Sequence, residues 1–270
     1  MAKRNPRPQR PPRQCLFCES LAGSPEHIWP NWMRGYFPRT SHDRHIEMWD
    51  TFGLTDGVVP DARIHHRHTS QMKVKAVCKT CNTGWMSRLE TATKPMLKPM
   101  SEGRRTELSE VEQRTLADWI ALKMMVLEVA EHEPLAGVFT REQTLEFAAT
   151  RKLPDRFEVW LLKAADQERR ARVSRSFAAL FGLRGPLGIP NKANAQTVLL
   201  RVGRLVIFAV HSEVPLPKVR RPRQTYGKPI WPTTQRVREW PPLNTVDGPQ
   251  IDMIARTLNQ YVESLGRRRS

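Results

Sequence analysis

The sequence predicts an α+β protein: a small zinc-stabilised domain carrying an insertion, followed by an α+β C-terminal region. Three observations lead there. The four cysteines fall in two C-x-x-C pairs, Cys15/Cys18 and Cys78/Cys81, with none left over. Apolar residues recur at helical spacing over residues 111–127 and at strand spacing in later segments. The 270 residues carry 44 Lys and Arg against 27 Asp and Glu, a formal charge of +17. That length suits one large domain or two ordinary ones. No run approaches the ~18 apolar residues of a membrane span, and the basic N-terminus lacks the apolar stretch of a secretory signal. The composition fits a cytoplasmic protein with a polyanionic partner.

Taken in order, residues 1–14 hold five basic side chains, four prolines and no acid. Such a segment cannot bury apolar surface and is expected to be a disordered basic arm. Residues 15–100 contain all four cysteines and six of the eight histidines, and read as a metal-organised domain. Within it, residues 36–70 show little periodicity and many turn formers, as expected of a long insertion. Residues 71–77 alternate, with Met72, Val74 and Ala76 on one face and Lys73 and Lys75 on the other, as in a half-buried strand. Asn82 then opens a short helix that buries Trp85, Met86 and Leu89.

A C-terminal α+β domain is expected over residues 107–266. Ser109 and Glu112 form a capping box ahead of a helix reaching about residue 130, and Thr140 and Gln143 head another. Residues 157–162 read as a strand, and residues 196–202 and 205–211 as a hairpin turning at Gly203 and Arg204. After a Pro-rich stretch over 215–242, one amphipathic helix is expected over 249–265, and a basic tail over 267–270. No catalytic signature is visible in this region.

The chemistry-bearing residues lie in the first domain. Two C-x-x-C pairs supply four thiolates, the ligand set of a tetrahedral structural Zn²⁺. Two redox pairs or local disulfides are the alternative, but a cytosolic chain rarely keeps disulfides. Glu26 could offer oxygen to a hard cation, and His27 has a side chain able to take a proton near neutral pH. Asn82 could ligate that cation or simply cap the helix after Cys81. Glu90 could order His27 or an arginine, or lie on a solvated face. Trp29, Trp32 and Trp85 are expected to pack around the zinc, and His42, His45, His65, His66 and His68 to be surface residues of the insertion.

In order, C-L-F-C at 15–18, E-H-I-W-P-N-W at 26–32 and V-C-K-T-C-N-T-G-W-M at 77–86 resemble the zinc-knuckle branch of the HNH, or ββα-metal, endonucleases. The resemblance covers residues 15–95. It implies hydrolysis of DNA phosphodiesters, His27 as general base, Glu26 and Asn82 as ligands of a catalytic Mg²⁺ or Mn²⁺, and a separate structural zinc. The chain departs from the family at Lys73, nine residues before Asn82, where an asparagine is usual. The alternative is a catalytically inactive zinc-binding protein that binds nucleic acid, and RNA is a second candidate substrate. Candidate backbone contacts are Arg4, Arg7, Arg10, Arg13, Lys73, Lys75, Arg220 and Arg221.

Overall fold

A computed structural model describes residues 13–36, 45–52, 63–67, 73–129, 137–166, 171–178, 193–216, 219–233 and 235–266. The architecture is mixed α+β. Near the N-terminus, β1 (Ser24–His27) pairs antiparallel with β4 (Lys73–Val77). A short turn, α1 (Lys79–Cys81), runs through a π turn at Asn82–Met86 into α2 (Ser87–Ser101). Strand, strand and helix thus assemble as a ββα unit.

Between β1 and β4, the expected insertion contributes β2 (His45–Phe52) and β3 (Arg63–Arg67), which leave the unit and join a larger sheet. That sheet also contains β6 (Glu158–Lys163), β7 (Ala171–Ala178), β8 (Ala195–Val202), β9 (Leu205–Ser212) and β10 (Gly227–Trp231). Its seven strands run in the order β10-β6-β9-β8-β7-β2-β3. Pairing is antiparallel throughout except between β2 and β7, which are parallel. A two-stranded sheet pairs β5 (Thr106–Ser109) with β11 (Val237–Trp240).

Period-two side-chain placement explains why the central strands are buried on both faces. Val198, Leu200, Ile207 and Ala209 share one core cluster with Leu116, Ile120, Met124 and Leu127 of α3 (Glu110–Glu128). Their neighbours Leu199, Val206, Phe208 and Val210 face the other way. They pack with Ile251 and Ala255 of α5 (Gly248–Ala255) and with Leu258 and Val262 of α6 (Thr257–Gly266). The first cluster also contains Cys15, Ile28, Trp29, Val77 and Leu97, so a single core runs from the ββα unit through α3 to the sheet. Residues 116–128 of α3 are buried all round, as befits a helix covered by protein on every side.

Both expected capping boxes form, Ser109–Glu112 on α3 and Thr140–Gln143 on α4 (Arg141–Thr150). The β8–β9 hairpin turns at Gly203, whose φ is +55°. A Cβ there would sit 2.4 Å from the Ser101 carbonyl, which accepts the Arg204 amide at 2.9 Å, so only glycine lets the turn approach the end of α2. The single final helix expected from the sequence is two helices, interrupted at Arg256. The Pro-rich stretch supplies β10 and β11. Residues 1–12, most of the insertion and the basic tail lie outside the described residues.

Candidate metal centre and the ββα unit

The four cysteine sulfurs lie within 4.8 Å of one another. Cys18 Sγ is 3.5 Å from Cys78 Sγ and 3.7 Å from Cys81 Sγ. A tetrahedral zinc with bonds of about 2.3 Å requires sulfur–sulfur edges of about 3.8 Å, so the set fits a structural metal such as zinc. The first pair sits in a tight loop: the Cys15 amide donates to Ser20 O at 2.8 Å and the Phe17 amide to Cys15 Sγ at 3.4 Å. The second pair opens the helix, with Cys78 as the N-cap accepting from the Cys81 amide at 3.3 Å. Amide donors and a helix N-terminus both favour thiolate. Burial raises the pKa values of the Cys15 and Cys81 thiols. At Cys18 burial also pushes upward, but hydrogen bonds from Ser20 and the neighbouring thiols outweigh it and bring the value to about 7.

Two features hold the loops together. Leu16 donates its amide to Ala76 O at 3.0 Å, tying the first knuckle to β4. Arg141, at the start of α4, donates to the carbonyls of Cys15, Leu16 and Cys18 at 2.6, 2.8 and 2.9 Å. One guanidinium thus closes the back of the first knuckle. Nothing in the local sequence marks Arg141 for this role, because its partners are more than a hundred residues away. Trp85 packs edge-on against Phe17 at 5.1 Å and lies under the Arg151 guanidinium at 3.6 Å, so it belongs to the core beside the cluster as expected.

Glu26, His27 and Asn82 all fall within the ββα unit, where Glu26 is engaged by Lys123 and Asn82 by Ser24 and Pro25. Glu26 is buried, and its Oε1 is 2.5 Å from the Nζ of Lys123, which is fully buried on α3. The same ammonium donates to His27 O at 2.7 Å and lies 3.7 Å from Glu90 Oε2. Burial raises the Glu90 pKa, the Lys123 charge opposes that rise and the Glu26 charge adds to it. Glu90 thus faces Lys123. His27 sits across from Lys73 in the β1–β4 pairing, and its Nε2 is buried. Asn82 is not the N-cap of the helix, a position held by Cys78; it closes α1 at its C-terminal end. Its Nδ2 donates to Ser24 Oγ at 2.8 Å and to Pro25 O at 3.3 Å, lashing the π turn to β1.

Of the two oxygen ligands expected for a catalytic Mg²⁺ or Mn²⁺, Glu26 is engaged by Lys123, while Asn82 uses its amide nitrogen rather than its oxygen in the bonds to β1. The Glu26 carboxylate already holds a positive charge at hydrogen-bond distance. A divalent ion there would also face the Lys123 ammonium in a poorly solvated site. Lys123 carries its own signal in the sequence, as the single cation inside the apolar run 116–127.

The candidate nucleic-acid contacts separate into three groups. Arg4, Arg7 and Arg10 lie outside the described residues, and Arg13 donates to Val129 O at 3.2 Å. Lys73 and Lys75 are exposed on β4. Arg220 is exposed, whereas Arg221 forms a two-pronged pair with Glu158 at 2.8 and 2.7 Å and donates to Leu216 O and Val219 O. Arg221 is a structural brace, which removes it from the set of available phosphate contacts.

Lys79, Arg88, Lys94 and Lys98 are also exposed along α1 and α2. The one acid of that helix, Glu90, is turned toward Lys123. Among the described residues no helix is long and apolar enough to cross a membrane. Compared with protein-family models, curated proteins and solved structures, the chain matches none.

Proposed function

We propose that the protein is a zinc-organised nucleic-acid-binding protein whose ββα unit carries the binding face. The observation behind this reading is the row of exposed cations on β4 and on α1–α2: Lys73, Lys75, Lys79, Arg88, Lys94 and Lys98, with no exposed acid on the helix. Phosphates contacted by such a row would release counterions, giving tight but strongly salt-dependent binding with little sequence preference. A structural zinc at Cys15, Cys18, Cys78 and Cys81 would hold the face in shape, because a ββα unit is too small to build a sufficient core of its own. Lys123 on Glu26 and Lys73 opposite His27 favour binding without hydrolysis.

A second reading, an HNH-type endonuclease acting on DNA or RNA, is favoured by the placement of His27 on the first strand and Asn82 at the start of the helix. In that reading His27 takes the proton of an attacking water. Full-length protein incubated with supercoiled plasmid and with single-stranded RNA, in Mg²⁺ or in Mn²⁺, separates the two. Binding without nicking is expected. Divalent-dependent cleavage that His27→Ala abolishes, with zinc content unchanged, would replace the binding reading with the endonuclease.

A further inference from the structure

On the opposite side of the seven-stranded sheet from the cysteines, the loop between β9 and β10 meets α5 and α6 around a cavity of about 380 Å³. That volume falls within the range of about 300–1,000 Å³ typical of small-molecule sites. Its lining divides by chemistry. Tyr226, Pro222, Val246, Met253 and Ile254 supply an aromatic ring and apolar surface, while Arg220 and Arg223 supply charge. No carboxylate lines it.

The loop is built to hold that arrangement. Arg221 is anchored to Glu158 on β6 and to the carbonyls of Leu216 and Val219. The Arg223 carbonyl accepts the amides of Tyr226 and Gly227, both at 2.8 Å, and Thr257 Oγ1 donates to Arg220 O at 3.3 Å. Gly227 permits the fold-back, since a Cβ there would lie 2.8 Å from Pro222 Cβ. Arg221 thus carries the structural load. The exposed Arg220 and Arg223 guanidiniums have no carboxylate partner among the described residues; Arg220 reaches only Met253 Sδ, at 3.8 Å.

We propose that this cavity is a nucleotide-binding site, with the base against Tyr226, Met253 and Ile254 and the phosphate between Arg220 and Arg223. Paired guanidiniums suit phosphate oxygens, and an aromatic ring beside apolar side chains suits the face of a base. The hydrogen bonds that fix residues 219–227 lower the ordering cost of binding. The same chemistry is offered by a free nucleoside monophosphate and by the phosphorylated end of a polynucleotide. The inference is independent of the ββα unit, whose binding face lies across the sheet.

The test is calorimetric titration of full-length protein at physiological salt. The probes are AMP, GMP, inorganic phosphate, and short single-stranded oligonucleotides with a 5′-phosphate or a 5′-hydroxyl. Saturable binding of AMP or GMP, stronger than of inorganic phosphate, identifies the free nucleotide as the ligand. A preference for the 5′-phosphorylated oligonucleotide, with no binding of AMP or GMP, identifies the polynucleotide end. In either case Arg220→Ala/Arg223→Ala should weaken binding by about tenfold or more, the loss expected for charged hydrogen bonds. Tyr226→Phe should retain binding that Tyr226→Ala weakens. Arg105→Ala/Lys152→Ala, which removes the same charge from other faces, should leave it unchanged. Equal loss in that control, inorganic phosphate binding as well as a nucleotide, or no binding of any probe by wild type overturns the proposal.

Discussion

The ββα unit and the seven-stranded sheet region handle positive charge in opposite ways. On the ββα unit the cations are mostly lysines and stand out in solvent: Lys73, Lys75, Lys79, Lys94 and Lys98, with Arg88 among them. In the sheet region several arginines are drawn inward and serve as structure. Arg175 is almost wholly buried and donates to the Leu127 carbonyl, Arg201 pairs with Asp166, Arg172 with Asp252, and Arg221 with Glu158. The difference follows from the side chains: a guanidinium is weakly hydrated and presents several donors in a rigid fork, whereas an ammonium is a strongly hydrated point charge. A net charge of +17 is therefore not one field available to a polyanion. Part of it is mortar, and part is surface. Lys123 is the exception within the comparison, a buried lysine, and it has two carboxylates and a carbonyl around it.

The largest expected effect tests whether the lysine-bearing face depends on metal. Structural zinc sites contribute on the order of 10 kcal/mol or more of apparent binding energy, all of it linked to folding. Cys78→Ser should therefore unfold the ββα unit, with loss of zinc by elemental analysis and loss of amide-exchange protection in β1, β4 and α1. Because the core is continuous from Cys15 through α3 to the sheet, thermal stability of the whole chain should fall with it. A fully protected β1–β4 pair in zinc-free protein would show that packing alone holds the unit.

The next effect concerns the exception. Lys123→Met removes the cation and strands Glu26 and Glu90 against each other in the core, which should cost about 3–5 kcal/mol, as for other broken buried pairs. Adding Glu26→Gln should recover much of that loss, because the uncompensated carboxylate goes with it. Urea unfolding of the two variants is the measurement. Failure of the second substitution to restore stability would mean that Lys123 acts mainly through the His27 carbonyl rather than through Glu26.

Much of this organisation can be read from the sequence, and the rest is hidden for physical reasons. Both C-x-x-C pairs and both capping boxes are local patterns with local causes, so they appear where their spacing puts them. The β8–β9 hairpin is similarly marked by its glycine turn. What escapes is long-range. The insertion gives no sign that β2 will pair in parallel with β7, because that pairing is decided more than a hundred residues away. Asn82 reads equally well as ligand or cap, and only the course of β1 shows it as a tether to Ser24 and Pro25. The sequence around Glu26 gives no sign of Lys123, which α3 brings to it from almost a hundred residues away. His211, which carries no motif, is a core residue: it stacks on Phe139 at 4.3 Å, and burial lowers its pKa to about 4.

The smallest effect in free energy is the most informative about the comparison itself. Lys94→Ala/Lys98→Ala touches two exposed side chains and should change stability by no more than about 0.5 kcal/mol per site. If these lysines meet phosphates, the log–log salt slope for binding to duplex should become shallower by about 0.9 for each phosphate no longer neutralised, or about 2 for both. Arg221→Ala should do the reverse. It removes one charge but leaves Glu158 and two loop carbonyls without their donor, so it should cost about 1–3 kcal/mol of stability and leave the slope alone. A shallower slope from Arg221→Ala together with an unchanged slope from the lysine pair would invert the assignment of surface and mortar. It would move the polyanion-binding face from the ββα unit to the far side of the sheet.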